Sequence, residues 1–227
     1  MLGPLSRASV PDLVFDELCQ AILGGRYAPG ERLPTQRALA ADLQVNLSSV
    51  REALGRLEQL RLVEIRHGDA TRVLDWRRSG GLEALAQLGS VDREVIKSLF
   101  EARRLLLREA ARLAAARRTP EQAKALTDLA QAVSAASSDG AALLADWAFM
   151  SAIVESAGNL VFELIMNSVR ELYMPRTKAF RGIVRDRDAL ISLYELAARA
   201  IEEADPQAAA NAVEQLAAAQ EQRITAR

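Results

Sequence analysis

Three polar side chains, those of Ser48, Ser49 and Arg51, lie in the first turn of a predicted helix whose apolar stripe is formed by other positions. Because Arg51 lies outside that stripe, its guanidinium is free to bind a guanine edge or a phosphate. The two serine hydroxyls can donate hydrogen bonds to phosphates. Arg37, one turn into the preceding predicted helix, is placed for a backbone or base contact. Each residue alone is as readily a solvated surface position, but together they indicate contact with a nucleic acid.

Two charged side chains further along the chain, Arg103 and Asp146, each have apolar residues three and four positions away on both sides. Burying either charge unpaired is costly, so each needs a partner, which is either the other residue or a bound ligand. Tyr194 also lies among apolar neighbours, where a core tyrosine with one satisfied hydroxyl is the alternative to a ligand contact. Asn159 follows Gly158 and either contacts a ligand or caps a helix. Together these residues form a candidate site for a small molecule.

Catalytic chemistry is disfavoured because the chain has one histidine, His67, and one cysteine, Cys19. The sequence shows no Ser/His, Cys/His or paired-carboxylate arrangement, so an all-α enzyme is the least favoured class. One cysteine cannot form an internal disulfide or a multi-thiolate zinc site, and core packing is the expected role of Cys19. The sequence therefore predicts no enzymatic activity and no cofactor.

Helices and a hairpin are predicted to position the first group of residues. The apolar spacing predicts a helix over about residues 11–23, a short helix capped by Thr35, and another helix after a break at 44–46. Two helices around a tight break indicate a helix-turn-helix. Two β-leaning runs lie on either side of a glycine-containing tip at 66–70, which predicts a hairpin wing.

The rest of the chain is predicted to be all helical. The 227 residues include 42 alanines and only 4% aromatic residues, a composition that favours helix over strand. The predicted fold class is mainly α, with an N-terminal winged helix-turn-helix, a small β-hairpin wing and a C-terminal antiparallel all-α helical bundle. The expected domains are a DNA-binding domain at 1–76, a linker with a short helix at 77–90, and an effector-binding and dimerisation domain at 91–227. The helices predicted after residue 81 are 82–88, 92–118, 120–136, 141–157, 160–173 or beyond, 187–204 and 206–224.

Net charge does not by itself indicate a nucleic-acid partner. The formal charge is −1, and the first 78 residues hold 11 basic and 10 acidic side chains, so DNA contact depends on where the charges are placed. Every basic residue in that segment is arginine. No stretch reaches the roughly 18 uninterrupted apolar residues of a membrane span, and the first residues do not resemble a signal peptide. A cytoplasmic protein without membrane contact is expected.

Two segments of the N-terminal region carry a family signature. Residues 27–40 (YAPGERLPTQRALA) and 50–58 (VREALGRLE) resemble the winged-helix signature of the GntR-type regulators and, within them, of the FadR subfamily. The pair formed by His67 and Gly68 resembles a wing tip that enters the minor groove. The resemblance implies that operator DNA is contacted by Arg37, Ser48, Ser49, Arg51, His67 and Gly68.

The chain departs from that family pattern at two positions. Gln36 stands where the family often has glutamate, and Leu47 stands where it usually has an arginine that reads a base. Because a leucine side chain cannot form a hydrogen bond with a base, we expect an operator that differs from the usual one or is bound more weakly.

The C-terminal region resembles the all-helical ligand-binding domain of the FadR subfamily, the FCD domain, in residues 99–104, 146–150, 157–159 and 164–167. Many members bind a divalent metal there through an aspartate and three histidines. The resemblance aligns those histidine positions with Met150, Tyr194 and Leu216, which leaves only Asp146. Since His67 is the sole histidine, a three-imidazole site is impossible and no metal site is predicted.

The combined prediction is a ligand-responsive transcription regulator, expected to be a repressor, that binds a double-stranded inverted-repeat operator as a homodimer. Dimerisation follows from the resemblance and from the fact that one such head reads only a half-site. The expected effector contacts are Arg103, Asp146, Asn159 and Tyr194. FadR itself suggests an acyl-CoA effector, and a carboxylate metabolite held by Arg103 is the rival. The alternative function is a ligand-sensing or interaction module without DNA binding, which the leucine at position 47 favours.

Overall fold

The computed structural model of the chain describes residues 9–66, 70–84, 87 and 93–225. The chain divides into two compact units, Met1–Val91 and Asp92–Arg227. Helices dominate the described residues of both units, and a two-stranded antiparallel sheet belongs to the first. The predicted fold class, a winged helix-turn-helix followed by an all-α bundle, is confirmed.

Three helices form the body of the first unit, and each begins after a polar N-cap. They are α1 (Val10–Leu23), α2 (Gln36–Asp42) and α3 (Leu47–Gln59). At the start of α1 the Ser9 hydroxyl accepts from the Asp12 backbone N–H and the Asp12 carboxylate accepts from Ser9, which completes a capping box. Thr35 caps α2 and Asn46 caps α3. These side chains satisfy N–H groups that a helix leaves unpaired at its start.

The core of the first unit lies where α1 crosses α3. Leu18 of α1 and Leu54 of α3 are buried, and each such side chain contributes roughly 1.5–3 kcal/mol of burial energy. The Arg56 guanidinium covers one edge of this core, with its Cζ 4.1 Å from the centre of the Phe15 ring. Cys19 is buried in the same core, and burial raises the pKa of its thiol to about 12. The thiol therefore stays protonated, in agreement with a packing role.

The wing is a short hairpin of β1 (Val63–Glu64) and β2 (Arg72–Val73). Its strands are antiparallel, with Val63 opposite Val73 and Glu64 opposite Arg72. Arg32, from the segment before α2, adds an isolated bridge to Arg72 on the other side of β2. The two predicted β runs therefore do pair, although each strand is two residues long. The predicted tip residues His67 and Gly68 lie outside the described residues.

A short helix, α4 (Trp76–Ser79), comes after the wing. Its N-cap is Asp75, whose side chain accepts a hydrogen bond from the Arg77 backbone N–H. The Ser79 hydroxyl donates to the backbone carbonyl of Arg61 at 3.1 Å, which ties α4 to the loop after α3. One 3-10 turn, Leu82–Ala84, comes next. The remainder of the helix predicted over 82–88 lies outside the described residues except for residue 87.

The second unit is an antiparallel set of helices whose positions agree with the sequence prediction. The helices are α5 (Arg93–Arg117), α6 (Pro120–Ala135), α7 (Asp139–Ser156), α8 (Leu160–Tyr173), α9 (Thr177–Phe180), α10 (Asp188–Glu202) and α11 (Pro206–Thr225). No helix in the described part of the chain is long and apolar enough to cross a lipid bilayer.

The segment between α8 and α10 is more ordered than the sequence indicated. Pro175 predicted only a break there, but short helical turns at Met174–Arg176 and Arg181–Val184 lie on either side of α9. These turns persist because Phe180 and Ile183 are buried.

Alanine side chains fill the region where α5 packs along α11. On α5 four fully buried positions are alanines, and buried alanines of α11 belong to the same core. Because a methyl group occupies little space, the two helix backbones can lie close together. We call this contact the alanine seam, formed by Ala110, Ala111, Ala114, Ala115, Ala209 and Ala212.

Candidate functional site

An open cleft of about 820 Å³ lies in the first unit between the start of α3, the start of α2 and the wing. Its lining includes Leu47 together with four arginines from four different segments. The positive end of the α3 dipole adds to their charge. We call this surface the basic cleft, and its arginines are Arg32, Arg37, Arg51 and Arg66. It is suited to hold a polyanion such as the DNA backbone.

Arg51 reaches the basic cleft from the second turn of α3, which the Asn46 cap begins. Its side chain is exposed, and its Nε donates to Oε1 of Gln36 at 3.2 Å. Because Gln36 is neutral, this bond orients the guanidinium without cancelling its charge. Leu47, in the first turn, is half-buried and lines the same cleft. The position where the family usually has a base-reading arginine is therefore at the cleft surface.

The two serines of the first turn have different environments. Ser48 is exposed, as a phosphate contact requires. Ser49 is buried, with 4% of its surface exposed, and its backbone N–H donates to Oδ1 of Asn46 at 2.8 Å. A phosphate contact through the Ser49 hydroxyl is therefore not supported, because the residue faces the core of its own unit. Helical spacing was a usable signal for this difference, because Ser49 lies four residues before the buried Ala53 and Ser48 lies four residues before the exposed Glu52.

Arg32 and Arg66 were not singled out by the sequence, although both line the basic cleft. Arg66 forms an exposed ion pair with Glu64 at 2.8 Å, a contact that is weak in water and that a phosphate can replace. Arg32 reaches the cleft because its backbone bridges to the wing. The available signal was the exclusive use of arginine in the first 78 residues, but it does not say which arginines converge.

A second site lies inside the helical unit, where four helices contribute one polar side chain each. Tyr194 of α10 donates its hydroxyl to Oδ1 of Asp146 on α7 at 2.7 Å. Gln220 of α11 donates its Nε2 to the same oxygen at 2.7 Å and to the Tyr194 hydroxyl at 2.8 Å. Arg103 of α5 lies with Nη2 3.7 Å from Asp146 Oδ2. We call these four residues the polar cluster.

The polar cluster is enclosed. Asp146 is 2% exposed, Gln220 is fully buried and the Arg103 side chain is 15% exposed. Burial, and then the charge of Asp146, raises the pKa of Tyr194 far above its ordinary value, so its hydroxyl keeps the proton that it donates. The same causes raise the pKa of Tyr173, which stacks on Phe180 beside the cluster. The separation of Arg103 and Asp146 exceeds hydrogen-bond length, so the ion pair is loose.

Asn159 is not part of the polar cluster. It is the N-cap of α8, and its Oδ1 accepts from the backbone N–H groups of Val161 at 3.0 Å and Phe162 at 3.4 Å. Asn159 therefore has the capping role that its position after Gly158 also allowed, and its effector contact stays a prediction. Asp146 lies ten positions before Ser156, the last residue of α7, which is a rise of about 15 Å along the helix.

Gln220 is the member of the polar cluster that the sequence did not identify. It continues the buried stripe of Val213, Leu216 and Ala217 at helical spacing, so a polar side chain in that stripe was a usable signal. Its partners could not be inferred, because they depend on which faces of α7, α10 and α11 meet.

The side chains present do not suit the divalent metal that many FCD domains hold. Met150 and Leu216 are buried at two of the aligned histidine positions. The Met150 thioether is a weak ligand for a divalent metal, and the Leu216 side chain has no ligand atom. Tyr194, at the third, keeps its proton and gives it to Asp146. In the described ranges, no group of three or more His, Cys, Asp or Glu side chains could hold a metal ion. The donor set therefore agrees with a metal-free site.

Two family models and several relatives match the chain. Residues 12–73 match the family model "Bacterial regulatory proteins, gntR family", and residues 98–219 match the FCD domain. The chain is 37% identical over 219 residues, 95% of its length and 91% of the relative's, to the HTH-type transcriptional regulator Mce2R of Mycobacterium tuberculosis. It is 31% identical over 163 residues, 71% of its length and 74% of the relative's, to the HTH-type transcriptional regulator LutR of Bacillus subtilis.

A solved structure shows the same fold. Its description states that Lar controls the expression of the Listeria monocytogenes agr system, and the match covers 99% of this chain and 98% of that one. The TM-score is 0.61 and the sequences are 16% identical, so this likeness concerns the fold.

The family models and the relatives identify a chain with this winged helix-turn-helix and this helical unit as a DNA-binding transcription regulator. The chain belongs to the GntR family of bacterial regulatory proteins and carries an FCD domain. The family resemblance predicted from residues 27–40 and 50–58 is thus confirmed.

Proposed function

We propose that the chain represses transcription as a homodimer that binds an inverted-repeat operator and responds to a small-molecule effector. The observation that carries this proposal is the convergence of four arginines on the cleft at the start of α3. One winged helix-turn-helix reads only a half-site, so an inverted repeat requires two heads. A two-fold symmetric dimer supplies the second head in the matching orientation.

Arg37, Ser48 and Arg51 are the residues that we propose to contact the operator from α2 and α3. All three are exposed, and Arg51 is oriented by a neutral amide, so its fork can bind a guanine edge or a phosphate. Arg66, released from its surface ion pair, is suited to a phosphate contact. From the resemblance we also propose that His67 and Gly68 enter the minor groove beside each half-site.

We place the effector at the polar cluster of the C-terminal unit, with Arg103 as the residue that binds it. Arg103 is held only loosely by Asp146, and its planar fork matches a carboxylate with two parallel hydrogen bonds. Asp146 and Tyr194 border the same position. Of the two effector classes that the sequence suggests, a carboxylate metabolite uses this fork directly, whereas an acyl-CoA would have to bring its thioester or phosphates to it.

The experiment that tests the proposed function is selection of bound fragments from genomic DNA, followed by affinity measurements over a range of salt concentrations. A specific regulator yields one inverted-repeat consensus, a steep salt dependence and a clear preference over random duplex. A reporter fused to the selected operator then gives the sense of regulation. If selection yields no consensus and random duplex binds equally well, the chain is an interaction module and the proposal fails.

A further inference from the structure

Three atoms at the polar cluster have no hydrogen-bond partner among the residues that the structure describes. They are Nη1 of Arg103, Oε1 of Gln220 and the hydroxyl oxygen of the neighbouring Tyr173. All three atoms are buried. Of the residues that carry them, Gln220 is 0% exposed and Tyr173 is 6% exposed. We call them the open atoms. Buried polar groups in folded proteins almost always have partners. The charges of Arg103 and Asp146 both act on Tyr173, so the open atoms indicate a polar guest beside that ion pair.

The types of the open atoms specify what the guest must offer. Arg103 Nη1 is a charge-bearing donor and calls for an anionic oxygen. Gln220 Oε1 is only an acceptor, because its amide nitrogen already donates to Asp146 and Tyr194, so it calls for an N–H or O–H group. The Tyr173 hydroxyl can serve either group. The guest therefore carries a donor close to an anionic oxygen.

The charges of the site limit the guest further. Arg103 and Asp146 cancel one another, and both tyrosines are neutral because burial raises their pKa values. A guest with a net negative charge would leave an uncompensated charge in an enclosed place, which is unfavourable. The ion pairs between α5 and α11 also balance, since Arg104 and Arg108 pair with Glu214 and Glu221.

We propose that the effector is a zwitterionic amino-carboxylate, that is, an amino acid or a close relative. Its carboxylate binds Arg103 Nη1 and the Tyr173 hydroxyl. Its ammonium group donates to Gln220 Oε1 and to Oδ2 of Asp146, which Arg103 holds only at 3.7 Å. The proposal rests on the effector site proposed above and specifies the chemistry of its ligand.

The proposal explains why a metal ion is not needed. In a site with an aspartate and a divalent metal, the positive charge left over can neutralise a simple carboxylate ligand. Here Arg103 supplies a single positive charge, which Asp146 already balances. A ligand that brings its own positive charge restores neutrality without a metal.

Calorimetric titration of the full-length protein with each of the twenty common amino acids is the first test. The best binder is then compared with its 2-hydroxy analogue and with the analogue that lacks the amino group. We expect the amino acid to bind at least about tenfold more tightly than either analogue. The proposal is overturned if no amino acid binds below roughly 10 mM, or if an analogue or oleoyl-CoA binds as tightly.

Variants of the open atoms give the second test. Gln220→Met removes the acceptor and should abolish the preference for the amino acid over the analogue without the amino group. Arg103→Met should abolish binding of both compounds, whereas Arg104→Met, which alters the adjacent arginine that pairs with Glu214, is the matched control and should bind normally. Tyr173→Phe, which removes only a hydroxyl, should weaken binding about tenfold even if Gln220→Met fails to fold. Normal binding by Tyr173→Phe, or a preserved preference in folded Gln220→Met, overturns the proposal.

Operator affinity without ligand, measured on the same preparations, separates the two proposals. If the parent chain shows no preference for an amino acid but binds its operator sequence-specifically, the amino-carboxylate is refuted and the regulator remains. Amino-acid binding without any operator preference refutes the regulator and leaves the ligand site.

Discussion

The guanidinium of Arg51 is charged, exposed and oriented by one hydrogen bond to Gln36. Arg51→Ala should therefore weaken binding to the selected operator by about 1–3 kcal/mol, because a bidentate base contact is worth that much. Fluorescence anisotropy at a fixed salt concentration measures the change. Arg26→Ala is the control, since Arg26 is an exposed arginine of the same unit that pairs with Glu17 and does not line the basic cleft. Equal effects of the two substitutions would mean that Arg51 contributes only charge.

Leu47 lies at the surface of the basic cleft but has no group that can form a hydrogen bond with a base. Leu47→Arg should therefore introduce a guanine preference at one position of each half-site, visible in a repeated selection from random duplexes. Leu13→Arg adds the same charge at an exposed position of α1 and should leave the consensus unchanged. An unaltered consensus for Leu47→Arg would show that this position does not face the bases.

For single residues, the sequence predicted which side chains have a functional role better than it predicted which atoms they contact. Arg103, Asp146 and Tyr194 were identified because polar groups on apolar helical faces must find partners, and the structure brings them together. The sequence around Asn159 is compatible with a helix cap and with a ligand contact. Only the backbone geometry shows that Asn159 is the N-cap of α8. Gln220 lies in an apolar stripe that the sequence already shows, but its partners depend on how three helices meet.

Among the elements, α3 depends on its N-cap for both stability and DNA contact. Asn46→Ala removes the acceptor for the Ser49 N–H and should lower the free energy of unfolding by about 1 kcal/mol. Operator affinity should fall too, because the turn that carries Ser48 loses its anchor. Asn46→Ser retains a capping oxygen and should restore both quantities in urea titrations and binding assays. If Asn46→Ala changes neither, the first turn is held by packing alone.

The capping box of α1 gives the N-terminal unit a pH-dependent contribution to stability. Hydrogen bonds from Ser9, and then the contact with Arg56, lower the pKa of Asp12 from 3.8 to about 2. A carboxyl whose pKa is lower in the folded state stabilises fully above pH 3.8, and this contribution disappears as pH falls toward 2. Asp12→Asn should therefore reduce the loss of thermal stability between about pH 4 and pH 2. Asp42→Asn, at the exposed end of α2, is the control and should keep the acid-induced loss of the parent chain.

Elements were largely predictable because caps, apolar spacing and proline positions are local signals. Ser9, Thr35, Asn46 and Thr119 are all N-caps, and each is a residue type that favours the position. The turns around α9 were missed because Pro175 indicates only where a helix ends and carries no information about the conformation of the next residues. Their conformation depends on burial of Phe180 against the rest of the unit, which is a tertiary effect.

For the whole molecule, the proposed inverted-repeat operator requires two copies of the chain. Sedimentation analysis should give a mass twice the 24.7 kDa of one chain, both free and on a single operator. Shifting one half-site by half a helical turn should abolish tight binding, because the second head then meets the opposite face of the duplex. A monomer that binds single half-sites with the full affinity would contradict the dimer.

A metal-free effector site is a further expectation for the purified protein. Asp146 with Met150, Tyr194 and Leu216 has too few good donors to retain a divalent ion against water. Elemental analysis should therefore find far less than one equivalent of zinc, nickel or manganese per chain. A full equivalent that survives dialysis against a chelator would contradict the metal-free site.

The alanine seam has a consequence for how this chain tolerates mutation. Single-base changes at an alanine codon give valine, threonine, proline, aspartate, glutamate, serine or glycine, and only the last two are small. At Ala111 and Ala114, which are fully buried, valine and threonine would overpack the contact at a cost of about 1–3 kcal/mol. Aspartate and glutamate would bury an unpaired charge, and proline would break α5. Few single-base changes at these codons therefore preserve the packing. Random mutagenesis should find that the alanine seam tolerates substitution less than most of the protein, although its residues carry no functional group.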